Sequence, residues 1–291
     1  MSKLAPFNSA GRVLKRPCKP MPGFPHTIAW NIEDFLNLVS MYGYDAIPEH
    51  IDRTDLDALC LYFSGVLPHE CMHGYKFNGM LGQGAGGEVH IVCKKDDCAY
   101  AAKYVILTDR YGENQYLNEV NIMNKLYTLG IGLQCEEHWI CNLPMYNMLR
   151  QRFDVHRVAI MVMPLAEYSG SELLERYDFE QVKPLFVNIL TTLVSNGIMH
   201  RDLKLENMVV YHDALKLIDF GLSWELGTED LHKGQANWTY ETIPAGWDPL
   251  FDTRCLIASI KRYYPELQSE LDNFMSEMTA LLVTTKTVDR S

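Results

Sequence analysis

The segment Met199-His-Arg-Asp-Leu-Lys-Leu-Glu-Asn207, followed by Asp219-Phe-Gly221, constrains this chain more than any other stretch. It gathers three carboxylates, a lysine, an arginine, a histidine and an amide within a short span. The residue types suit the handling of phosphate. Asp202 is placed to accept or orient the proton of an attacking hydroxyl. Lys204, two residues on, can neutralise a transferred phosphoryl group, and Asn207 and Asp219 offer hard oxygen ligands for Mg²⁺. Such a transfer leaves little covalent chemistry to the protein, so positioning and charge stabilisation carry it.

A second phosphate-handling pattern lies upstream. Leu81-Gly82-Gln-Gly84-Ala-Gly-Gly87-Glu-Val89 has the spacing G-x-G-x-x-G-x-V. Glycines there let the backbone approach phosphate oxygens, which its N–H groups can bind. A strand pattern follows these glycines, which excludes the dinucleotide-binding fingerprint, where a helix follows. No Gly-Lys-Ser/Thr closes the loop, which excludes the P-loop. Next comes Ala101-Ala-Lys103 in an apolar strand, where a lysine needs an anionic partner or an exposed face. Glu119 lies on the following predicted helix. A Lys103–Glu119 ion pair would aim the ammonium at the α- and β-phosphates.

The surrounding pattern is α+β. Residues 76–81, 88–93, 99–106, 139–146 and 156–163 read as strands, the last being the stronger of the later two. Residues 113–127 read as a helix with Leu117, Val120 and Met123 among its apolar positions. After Pro164 the chain turns mainly helical. Val182, Leu185, Phe186, Ile189, Leu190, Leu193 and Val194 form one stripe, with Pro184 tolerable near the helix start. Leu267, Leu271, Phe274, Met278 and Leu281 form another. Before the first strand, an arm rich in Pro and Gly precedes amphipathic helices predicted over 31–42 and 55–64. These helices brace the next segment or dock a partner. The domain division expected is 1–74 for the arm and helical extension, 75–164 for a nucleotide-binding lobe and 165–291 for a catalytic lobe.

Bulk properties narrow the function. A net charge of −11 over 291 residues argues against nucleic-acid binding, and no apolar run reaches a membrane span. The N-terminus lacks the apolar stretch of a secretory signal, so an intracellular place, cytoplasm or nucleus, is expected. The eight cysteines are scattered and read as free thiols in a reducing compartment.

These motifs, in this order, resemble the eukaryotic-type protein kinases, over roughly residues 76–255. The resemblance implies a two-lobed fold: a five-stranded antiparallel sheet with one helix, then a mainly helical lobe. It implies ATP with Mg²⁺, and a Ser/Thr hydroxyl on a protein substrate as acceptor, because Lys204 fits the serine/threonine branch. By resemblance, Asp202, Lys204, Lys103 and Glu119 are catalytic, and Asn207 and Asp219 hold the metal. Leu81, Gly82, Gly84, Gly87, Val89, Ala101, Lys103, Met163, Leu165, Val209 and Ile218 line the nucleotide site. Met163 takes the gatekeeper place, with the hinge over 164–166, and Met123, His200 and Phe220 match a stacked apolar spine. Arg201 suits pairing with an activation-segment phosphate on Thr228, Thr239 or Thr242. Thr228 ranks lowest, since Glu229 and Asp230 would repel a phosphate. Asp252 matches the aspartate that braces the catalytic loop.

The chain departs from the family downstream. No Ala-Pro-Glu follows Gly221, Glu241 being the nearest substitute, and only 39 residues follow Asp252. A shortened catalytic lobe is expected, similar to the minimal kinases of large DNA viruses, which would act in the host cell, or of bacterial effectors. Two alternatives stay open: a pseudokinase scaffold, and a small-molecule kinase on the same plan.

Overall fold

The structure, a computed structural model of the chain, describes residues 73–84, 87–95, 97–108, 110–147, 152–232, 235, 237 and 242–284. The helices expected over 31–42 and 55–64 lie outside these residues, as do Thr239 and Glu241. Two compact units are present. One takes in Glu136–Leu165 with the described part of Met1–Glu113, and the other Asn114–Cys135 with the described part of Ala166–Ser291.

The first unit is built on strands β1 (Tyr75–Gly84), β2 (Gly87–Lys94), β3 (Asp97–Leu107), β4 (Glu137–Asn147) and β5 (Arg152–Pro164). They form one antiparallel sheet in the order β1-β2-β3-β5-β4. Residues Val158–Met163 of β5 are all buried, which is why that stretch reads as a continuous apolar run rather than an alternating one. One face of the sheet supplies the core: Tyr75, Val92, Ala102, Tyr104, Val158, Ile160 and Val162. Each buried branched side chain there contributes roughly 1.5–3 kcal/mol. Register sets the other face. Val89 lies opposite Lys103, and Lys103 opposite Met161, while Ala101 lies opposite Met163. Directly opposed residues share a face, so Val89, Ala101, Lys103 and Met163 stand together.

The two edge strands are tied across the sheet. The Tyr75 hydroxyl donates to Glu137 Oε1 at 3.1 Å, and the Lys94 ammonium pairs with the same carboxylate. Burial and the Glu137 carboxylate push the Tyr75 phenol up to about 12.

The second unit is mainly helical. Its helices are α1 (Arg110–Thr128, whose first residues are grouped with the other unit), α2 (Gly170–Arg176), α3 (Phe179–Ser195), α4 (Phe251–Tyr263) and α5 (Gln268–Thr284). Ser169 and Glu172 close a capping box at the start of α2. Helix α3 buries Phe179, Val182, Phe186, Ile189, Leu190 and Leu193, and α5 answers with Leu271, Phe274, Met278 and Leu282. The rings of Phe179 and Phe274 meet edge to face, 5.9 Å apart. Pro184 is the sixth residue of α3, so the helix starts earlier than the apolar stripe suggests, and Pro184 has no N–H to offer the Glu180 carbonyl.

Short strands escape the periodicity. Strands β6 (Tyr168–Ser169), β8 (Met208–Tyr211) and β9 (Ala214–Leu217) form one small sheet, and β7 (Ile198–Met199) and β10 (Trp224–Glu225) another. Four other expectations need correction. Leu185, placed in the α3 stripe, is 38% exposed. Leu117 is 40% exposed, and Tyr116 is buried on α1 instead. Leu281 is 43% exposed while Leu282 is buried, because the α5 stripe continues from Met278 by four residues rather than three. Cys93 and Cys98 are joined by a disulfide, whereas Cys135 and Cys255 keep their thiols. The β2–β3 hairpin turns between Cys93 and Cys98, so local geometry rather than a shortage of core brings them together. Among the described residues, no helix is long and apolar enough to cross a membrane.

Gly87 has φ +122°, and a Cβ there would lie 2.0 Å from the Tyr104 carbonyl oxygen; at Gly82 nothing lies within 4 Å of such an atom. Gly87→Ala is therefore expected to lower the thermal midpoint by several degrees, about 2 kcal/mol or more. Gly82→Ala should leave it unchanged, and calorimetry on both variants checks the contrast. A second expectation concerns alkali. Above pH 10 the unfolded chain releases the Tyr75 proton while the folded chain holds it to about 12, so folding loses free energy as pH rises through that window. The stability gap between the parent and Tyr75→Phe should narrow from pH 9 to 11, read as the difference in urea midpoints.

Candidate active site

In the second unit, the loop between β7 and β8 carries the charged segment, and one buried carboxylate fixes its backbone. Asp252, in the first turn of α4 and 6% exposed, accepts the N–H of His200 through Oδ2 and the N–H of Arg201 through Oδ1, both at 2.7 Å. This is the bracing expected of it. Burial pushes the Asp252 carboxyl up, against the pull of His200 and Arg201. Further side chains satisfy the rest of the loop, as buried backbone requires. The Leu205 N–H donates to Ser259 Oγ at 3.0 Å, Ser223 Oγ donates to the His200 carbonyl at 3.1 Å, and Asn237 Nδ2 donates to the Arg201 carbonyl at 3.4 Å.

His200 has its tautomer set by two partners. Nδ1 accepts the Asp202 N–H at 3.3 Å, so Nε2 carries the hydrogen it donates to the Ile218 carbonyl at 3.0 Å. Its ring lies 5.3 Å from that of buried Phe220. This links the 200–207 loop to Asp219-Phe-Gly221. Asp219 adopts a left-handed φ of 61°, and the Phe220 N–H donates to Glu119 Oε1 at 3.2 Å. Glu119 is thus held beside Gly221, where an added Cβ would lie 3.6 Å from Asp219 Oδ1 and 3.8 Å from Glu119 Oε2.

The candidate reactive groups are ordered around Asp202. Its Oδ2 accepts the Lys204 ammonium at 2.8 Å and the Asn207 amide at 2.9 Å, and the same amide donates to the Asp202 carbonyl. Oδ1 of Asp202 accepts no hydrogen bond from the described residues. A hydroxyl donor can therefore be received there. Because the Asn207 nitrogen is committed to Asp202, its Oδ1 is the oxygen left for a cation. This donor chemistry fits Mg²⁺, which prefers a few carboxylate or amide oxygens plus phosphates.

Arg201 is wholly buried, with φ 68°. Its guanidinium forks onto Asp230, Nη1 to Oδ1 and Nη2 to Oδ2, both at 2.7 Å, and lies 4.9 Å from the Trp224 ring centre. The Arg201 fork holds the Asp230 carboxyl below its usual value, against the opposing effect of burial.

The first unit holds most of the remaining candidates. Gly82, Gly84 and Gly87 mark the β1–β2 turn, Leu81 is half exposed on β1, and Lys103 is 6% exposed beside Val89. Leu165 donates its N–H to the Ala99 carbonyl at 2.8 Å. Val209 on β8 and Ile218, whose N–H donates to the Asn207 carbonyl at 3.0 Å, belong to the second unit. Lys103 and Glu119 likewise fall in different units. Sequence reasoning missed Ser223, Ser259 and the Arg201–Asp230 pair. Asp230 reads there only as a charge repelling phosphate from Thr228.

Residues 75–241, more than half of the chain, match the model of the protein kinase domain. The chain belongs to the protein kinase family. It is 27% identical over 151 residues to a probable serine/threonine-protein kinase mps1 of Dictyostelium discoideum, covering 52% of this chain and 15% of that protein. It is 28% identical over 168 residues to calcium/calmodulin-dependent protein kinase type 1 of Caenorhabditis elegans, covering 51% and 42%. It is 28% identical over 172 residues to serine/threonine-protein kinase nekl-2 of the same organism, covering 54% and 46%. The chain thus spans less than half the length of these relatives.

Beyond the matched span, Asp252 carries the clearest expectation. Asp252→Asn sets an amide N–H₂ against one of two buried donors and is expected to cost roughly 3 kcal/mol. A urea titration of the variant beside the parent measures it, and an unchanged midpoint contradicts the bracing role.

Proposed function

We propose that this chain is an active serine/threonine protein kinase, transferring the γ-phosphoryl group of ATP to a Ser or Thr hydroxyl of a protein. The observation that carries the reading is the arrangement at Asp202. One carboxylate oxygen is held by Lys204 and Asn207, and the other is open to an acceptor hydroxyl. The hydroxyl oxygen attacks the γ-phosphorus, the bond from that phosphorus to the oxygen of ADP breaks, and the hydroxyl proton passes to Asp202. Lys204 stands beside the same carboxylate to offset charge on the transferred group. Asn207 and Asp219 would hold Mg²⁺, which neutralises phosphate charge when bound. Gly82, Gly84 and Gly87 offer backbone N–H groups to the phosphates, and Lys103, with Glu119 as its proposed counter-charge, a cation. Leu81, Val89, Ala101, Met163, Leu165, Val209 and Ile218 are the proposed adenine contacts. The relatives named serine/threonine kinases, together with Lys204, support the choice of acceptor.

Incubation with γ-labelled ATP and an array of Ser, Thr and Tyr peptides tests this. Label is expected on Ser or Thr peptides, to fall by about 10²-fold or more in Asp202→Ala, and to be lost in Asp219→Asn. Label confined to Tyr peptides or to small molecules, or full activity in Asp202→Ala, contradicts the reading.

A further inference from the structure

Arg201 follows His200 and precedes Asp202, so whatever seats its side chain bears on the orientation of the group that receives the hydroxyl proton. In sequence it reads as a cation awaiting a phosphate. In the structure it already has an anion. Both Nη atoms meet the two oxygens of Asp230 at 2.7 Å, the fork geometry in which a guanidinium binds a carboxylate most strongly. The guanidinium is fully buried against the Trp224 ring, and its Nε has no hydrogen-bond partner among the described residues. A buried cation of this kind is costly to leave without its counter-charge.

Asp230 is itself locked in place. Its Oδ1 also accepts the His232 N–H at 3.1 Å. The Trp224 indole donates to the Thr228 carbonyl at 3.1 Å. Thr228 turns back on the chain, its Oγ1 donating to the Glu225 carbonyl at 2.7 Å, so the hydroxyl that could take a phosphate is committed to the turn. The neighbouring cation Lys125 is paired with Glu225 at 2.7 Å. Burial pushes His232 down from its usual value, which disfavours a second positive charge beside Arg201. A phosphate on Thr228 would meet Glu225, Glu229 and Asp230 and would break the turn.

We infer that Asp230 is a positioning residue that permanently takes the place of an activating phosphate, so that the segment after Asp219-Phe-Gly221 is held for transfer without being phosphorylated. This rests on the kinase reading above. It deepens that reading by stating how the site is regulated.

The test uses the full chain, and has an arm that needs no variant and a readout that needs no activity. Parent protein treated with a broad phosphatase, and shown by mass spectrometry to carry no phosphate, is expected to keep its full rate. Thr239→Ala/Thr242→Ala should keep it too. Asp230→Asn is expected to lose roughly 10- to 100-fold in kcat with KM for ATP changed by less than about two-fold, and Asp230→Glu should recover most of the loss. Hydrogen–deuterium exchange should rise in 199–203 and 222–232 for Asp230→Asn and fall back for Asp230→Glu. A parent that loses its rate with the phosphatase and regains it on rephosphorylation overturns the inference while leaving the kinase assignment intact. Exchange and kcat of Asp230→Asn equal to the parent's overturn it as well. Should the parent label no acceptor, the kinase reading falls, and the exchange comparison alone decides whether Asp230 holds the loop.

Discussion

The Asp252 carboxylate receives two consecutive backbone N–H groups, those of His200 and Arg201, from within the core of the helical unit. Successive amides rarely converge on one point. Arg201 then turns the chain through a left-handed φ of 68°, a conformation that costs a non-glycine residue roughly 1–3 kcal/mol. With that turn in place, the Asp202 N–H reaches the His200 ring, the ring reaches the Ile218 carbonyl, and Asp219-Phe-Gly221 is brought beside the loop. A displaced Asp252 would loosen several of these contacts at once.

Long elements were legible because their periodicity reflects burial on one face or two. The run 156–163 reads as a strand since both faces of β5 are covered over 158–163, and the α3 stripe since one face of that helix meets α5. Strands of two residues have no period to detect. They exist because the chain passes beside a partner far away, as Met199 does beside Trp224. The side of Leu117 on α1 was misread for a related reason. Which flank of an amphipathic stripe is covered depends on the neighbour, and the helix alone does not name it.

At the site, the type of chemistry was legible and its wiring only partly. Asp202, Asn207 and Asp219 stand in fixed spacing, and Asp252 could be matched by position. Asp230 could not, because its partner lies 29 residues away and its neighbour Glu229 has the same charge. Local charge reads as repulsion toward an added phosphate, whereas the fold turns Asp230 onto a buried cation. The Cys93–Cys98 disulfide escaped likewise, since a hairpin rather than a spacing rule joins the two residues.

Two contacts that shape the 200–207 loop come from far downstream. Asp252 is 52 residues beyond His200, and Ser259 is 54 beyond Leu205. A chain made from its N-terminus has the glycine-rich hairpin and the five-stranded sheet available to fold well before α4 has emerged. Until then the loop lacks both of these anchors. A growing chain thus completes its sheet before it can fix the backbone of the 200–207 loop.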